Sequence, residues 1–71
     1  MNANELTFFR TVNAIKAGRM EDTTITLAGI EFEVKRVTTN RKCYDHMPTY
    51  TALVKANGQR VKFEQAMDML A

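Results

Sequence analysis

Apolar positions recur with helical spacing near the start of the chain. Phe8, Val12 and Ile15 fall at i, i+4 and i+7, one stripe of a helix over residues 4–17, and Leu6 and Phe9 widen it. Asn2 or Asn4 can serve as N-cap, accepting a bond from a backbone N–H that lacks a helical partner. Glu5 lies near the positive end of the helix dipole, and Lys16 and Arg19 near its negative end. Gly18 is placed to take the left-handed conformation that stops a helix.

The period then switches from helical to alternating. Ile25 and Leu27 alternate with Thr24 and Thr26, and Ile30, Phe32 and Val34 alternate with Glu31 and Glu33. A two-residue turn at Ala28-Gly29 sets Leu27 opposite Ile30 and Ile25 opposite Phe32, so that all four share one face. Alanine is a poor first residue for such a turn. The alternation breaks at Lys35-Arg36 before Val37, which reads as a bulge or as the end of the strand.

A polar loop covers residues 39–48. Two further strands, 50–56 and 59–63, flank Asn57-Gly58, the strongest short hairpin signal a sequence offers. In that register Val54 meets Val61 and Ala52 meets Phe63. Tyr50, Ala52, Val54, Val61 and Phe63 then form the inner face, with Thr51, Leu53, Lys55, Arg60 and Lys62 outside. Residues 64–71 have helix-forming composition, with Ala66, Met67 and Leu70 able to face the sheet, but no good N-cap. These elements make a single α+β domain over residues 1–71. It comprises an N-terminal helix, a four-stranded antiparallel sheet of two β-hairpins and a short C-terminal helix, with both helices packed on one face.

At 71 residues the chain buries only roughly 60% of its unfolded surface, so the core is thin. Domains of this size lean on disulfides, a metal, a partner subunit or very regular packing. Cys43 is the only cysteine, which rules out an internal disulfide, fits a reducing compartment and raises the expectation of a homodimer. No apolar run approaches the roughly 20 residues of a membrane span, and the N-terminus lacks the basic start and apolar stretch of a signal peptide. A cytoplasmic protein is expected, with no membrane partner.

Charge changes the picture more by its distribution than by its net value of +2. Residues 1–34 carry three bases and five acids, residues 35–62 seven bases and one acid, and residues 63–71 two acids. The middle of the chain is basic between two acidic ends.

Few residues offer chemistry. Cys43 and His46 sit three apart in the 39–48 loop, like half of a zinc site, but a structural zinc takes four ligands and no second Cys or His exists. Asp45, Met47 or the loop of a second subunit would have to complete it. As a nucleophile, Cys43 would have Arg41 and Lys42 to favour the thiolate and His46 as base, yet neither an oxyanion site nor an orienting group is visible. Both readings weigh less than an exposed polar loop. Glu31 and Glu33 alternate on a solvated strand face and read as solubilising residues rather than an acid–base pair. Gly18, Gly29 and Gly58 look like turn or cap residues, so no phosphate loop is present.

The expectation is therefore a non-catalytic binding module that needs no cofactor and no metal. It reads as a small regulator or inhibitor that docks on a protein partner through a basic sheet face and the 39–48 loop. The residues expected to carry the contact are Lys35, Arg36, Arg41, Lys42, Tyr44, Leu53, Lys55, Arg60 and Lys62. The alternative is a small nucleic-acid-binding domain using the same cations, with Tyr44 and Tyr50 stacking on an unpaired base. Against both stands the plain reading in which Glu31 and Glu33 pair with Lys55, Arg60 or Lys62 across the sheet. Size and the lack of a catalytic constellation make the chain similar to small accessory proteins of bacteriophages and mobile elements, including inhibitors of host defence, although no motif carries that likeness.

Overall fold

The computed structural model describes residues 1–38 and 50–71. Helix α1 (Ala3–Lys16) starts at Asn2, whose side chain accepts from the Glu5 N–H at 2.8 Å while the Glu5 carboxylate accepts from the Asn2 N–H at 2.8 Å. This reciprocal capping box satisfies two donors that a helix start leaves open. At the other end the Gly18 N–H donates to Ile15 O and the Arg19 N–H to Ala14 O. With Gly18 at φ 77°, these bonds make a Schellman motif.

Four strands follow as an antiparallel meander in the order β1-β2-β3-β4: β1 (Thr23–Leu27), β2 (Ile30–Thr38), β3 (Tyr50–Ala56) and β4 (Gln59–Val61). The first hairpin pairs Leu27 with Ile30 and Ile25 with Phe32, as the alternation requires. Ala28 accepts φ 52° and Gly29 φ 74°, the two positive values that fit the right-handed twist of a tight hairpin. The second hairpin turns at Asn57-Gly58 and pairs Val54 with Val61. Asn57 also ties the two hairpins together. Its N–H donates to Glu31 O at 2.7 Å and its Oδ1 accepts from the Glu31 N–H at 3.1 Å.

Helix α2 (Phe63–Leu70) and α1 both pack on the same face of the sheet. The core between them holds Phe8, Val12 and Ile15 from α1, Phe32, Val34, Val54 and Ala56 from the sheet, and Ala66 and Leu70 from α2. Phe8 is fully buried at its centre, its ring 5.0 Å from that of Phe32 and 5.7 Å from that of Phe63. The Asn2 side-chain amide donates to Leu70 O at 2.8 Å, joining the start of α1 to the end of α2.

Three local expectations are corrected. The break in alternation at Lys35-Arg36 is neither a bulge nor a strand end, since the β2–β3 register runs unbroken from Phe32↔Ala56 to Thr38↔Tyr50. The apolar pattern fails there because a cation, Arg36, takes the inner position that an aliphatic residue would otherwise hold. Phe63 does not pair with Ala52: β4 stops at Val61, and Phe63 opens α2, where its ring stacks on Phe8 and reaches Phe9. Leu6 and Phe9 stay over one-third exposed, at 36% and 38%, so the buried stripe of α1 is only Phe8, Val12 and Ile15.

Helix α2 starts without an acceptor side chain at its N-cap, Lys62. Only the reciprocal half of a capping box forms, with Gln65 Oε1 accepting from the Lys62 N–H at 2.8 Å. Burial of Ala66 and Leu70 therefore holds α2 in place more than its cap does.

Candidate functional site

With both helices on the inner face, no described element covers the opposite face of the sheet. Strand parity places Thr24 and Thr26 of β1, Glu31, Glu33, Lys35 and Val37 of β2, Thr51, Leu53 and Lys55 of β3, and Arg60 of β4 on it. One cross-strand row reads Thr24, Glu33, Lys55, Arg60, and the next sets Lys35 directly opposite Leu53. Leu53, half-buried, lies with Glu33, Lys35 and Lys55 around a shallow hollow of about 130 Å³. Val37 and Thr51, also half-buried, extend the less polar strip.

The expected contact residues divide into groups. Lys35, Leu53, Lys55 and Arg60 share this face. Lys62 lies one residue beyond β4, as N-cap of α2, where no ladder fixes its direction; it borders the same groove as Arg60 and Leu53. Arg41, Lys42 and Tyr44, with Cys43 and His46, lie outside the described residues.

Arg36 belongs to the other face. It pairs with Ala52 on the inner side, and its guanidinium lies with Cζ 3.6 Å from the centroid of the Tyr50 ring. A Cβ placed on Gly18 would stand 3.1 Å from both Arg36 Cζ and Nη1, and 3.2 Å from Nη2. Near-equal distances to three coplanar atoms mean that Gly18 meets the guanidinium flat-on. The cation is thus packed against the carboxyl end of α1 and against an aromatic face, two places where positive charge is favoured. Its Nε is buried and makes no hydrogen bond to any described residue. Tyr50, considered above as a stacking surface for a base, has one ring face occupied by Arg36.

Comparison of the chain with protein-family models, curated proteins and solved structures finds no match. The functional reading must therefore come from the surface itself.

Electrostatically, the uncovered face is mixed and leans positive. Glu33 is directly opposite Lys55, yet none of Lys35, Lys55, Arg60 and Lys62 forms an ion pair among the described residues. All four are exposed. Among the described residues this face carries no aromatic side chain, and no group of three metal-binding side chains converges anywhere. Among the described residues, no helix is long and apolar enough to cross a membrane.

A second feature was not anticipated from sequence. β4 pairs with only Val54, Lys55 and Ala56, so among the described residues the Tyr50–Leu53 half of β3 has no neighbouring strand on that side. The signal that could have found it is the helix-forming run that begins immediately after Val61, which leaves β4 too short to cover β3.

Proposed function

We propose that this protein is a non-catalytic binding module that docks on an acidic protein surface through the uncovered sheet face. The observation that carries the reading is the arrangement around Leu53: a half-buried apolar residue with Lys35, Lys55 and Arg60 near it and Glu33 the one carboxylate beside the hollow, none of the three cations neutralised by an ion pair within the described chain. A partner carboxylate approaching these ammonium and guanidinium groups gains charge-assisted hydrogen bonds, while Leu53 and Val37 supply apolar contact. Opposite charge also steers the encounter and so acts mainly on the association rate.

A protein partner is favoured over nucleic acid because, among the described residues, the face lacks a stacking platform. Single-stranded nucleic acid is held by aromatic rings interleaved with cations. Here the rings of Phe8, Phe32 and Phe63 are in or against the core, and that of Tyr50 faces Arg36. Glu31 and Glu33 would also repel a phosphate backbone along the β2 side of the face.

The test compares the immobilised wild-type chain with the double variant Lys35→Glu/Lys55→Glu in native extract. The reading expects a protein retained by wild type, released by salt, and lost from the variant. Retention of the same proteins by both chains, or a low-salt mobility shift with DNA or RNA that the variant abolishes, would overturn it.

A further inference from the structure

Strand β3 leaves part of its backbone ladder unfinished, and the surroundings of that gap indicate what would complete it. Glu31 and Asn57 form a hydrogen-bonded pair, which fixes the phase of the β2–β3 ladder. Odd-numbered residues of β3 direct their N–H and C=O groups to β2, and even-numbered residues direct theirs to the β4 side. Val54 and Ala56 meet β4 there, but Ala52 does not, because the chain has already entered α2. Neither backbone group of Ala52 is bonded to another part of the described chain. The equivalent step at the opposite edge is closed. Where β1 ends, the Arg36 N–H that would have met it donates instead to Asp22 Oδ1 at 2.9 Å. Among the described residues, one gap is capped by a side chain and the other is open.

The gap has room on both faces of the sheet. Thr51, Leu53 and Arg60 of the outer face, with Ala52, Phe63 and the N-cap Lys62, border a groove of about 550 Å³ that runs along the β3 edge to the first turn of α2. On the inner side, Phe9, Val12, Ala52 and Phe63, together with Asn13 and Lys16 of α1, border a hollow of about 310 Å³. An added strand sends alternate side chains to these two sides. One set would meet the carbon of Phe9, Val12 and Phe63 beside Asn13 and Lys16, and the other would meet the two cations Arg60 and Lys62.

We propose that the Tyr50–Leu53 edge of β3 accepts an extended segment of a partner protein as an added strand, with aliphatic residues alternating with acidic ones. Ala52 supplies the N–H and C=O that pair with the segment. The hollow at Phe9 and Phe63 takes an aliphatic side chain, and Arg60 and Lys62 take the flanking carboxylates. This is strand addition to a sheet edge, in which backbone bonds provide affinity and alternating side chains provide selectivity. It shares Leu53 and Arg60 with the Leu53-centred face, but it is carried by the open backbone groups of Ala52 and does not rest on that reading.

The test pans a displayed library of octapeptides, alternating Asp or Glu with aliphatic residues, against the full chain, and measures enriched peptides singly by fluorescence anisotropy. N-methylation of the backbone amides that face Ala52 should weaken binding about tenfold, whereas methylation of the alternate amides should leave it nearly unchanged. Ala52→Pro, which removes the edge N–H, and Arg60→Glu/Lys62→Glu should each weaken binding about tenfold, while Arg10→Glu on α1 should not. Should Ala52→Pro fail to fold, the methylation pattern on the wild-type chain decides alone. Absence of any enriched sequence, or binding indifferent to the phase of methylation, overturns the proposal.

Discussion

Arg36 and Tyr50 are diagonal neighbours on the inner face of the sheet, with the Arg36 Cζ 3.6 Å from the centre of the Tyr50 ring. The contact takes a cation out of the basic segment and makes it part of the packing around the end of α1. Arg36→Ala should therefore lower stability by about 1–2 kcal/mol in urea denaturation, from lost stacking and lost helix-end charge. Arg36→Lys should recover only part of this, since an ammonium keeps the charge but cannot lie flat on the ring.

Gly18 and Arg36 should behave as a coupled pair. Gly18→Ala places a methyl at a φ of 77° and 3.1 Å from the guanidinium, so both backbone strain and crowding oppose it. In an Arg36→Ala background only the strain remains. A double-mutant cycle should show the substitution less costly there, by about 0.5–1 kcal/mol, as neighbouring sites are not additive.

Ala28 is the least suited residue of the first hairpin. It holds φ 52°, a region that costs a non-glycine L residue about 1–2 kcal/mol and that asparagine tolerates better. Ala28→Asn should raise stability by about 1 kcal/mol and, in a domain this small, raise Tm by about 4–8 °C in a circular dichroism melt.

Phe8 carries the largest share of the core, in contact with rings from both the sheet and α2. Phe8→Ala should cost about 3–5 kcal/mol. Total stability for a chain of 71 residues is about 4–11 kcal/mol, so this variant should be partly or wholly unfolded at 37 °C by circular dichroism.

On the uncovered face, charge reversal at Glu33 should act opposite to reversal at Lys35. With the retained partner in surface plasmon resonance, Glu33→Lys should speed association and Lys35→Glu should slow it. Dissociation should change little, and both effects should shrink as salt rises from 50 to 500 mM, where the screening length falls from about 14 to 4 Å.

The sequence by itself determined the order of elements and the register of the two hairpins as far as Val61. Helical spacing at Phe8, Val12 and Ile15, alternation through Ile25 to Val34 and the Asn57-Gly58 turn act over a few residues and leave one consistent arrangement. It also placed Lys55 beside Arg60, because the turn fixes which residues face each other. Only the tertiary structure decided the role of Arg36, whose position depends on the end of α1 meeting a strand from another part of the chain. The same holds for the end of β4. Locally Phe63 fits a strand opposite Ala52 as well as it fits a helix. Burial of its ring against Phe8 and of Ala66 and Leu70 against the core favours the helix, and that choice is what leaves the edge of β3 open.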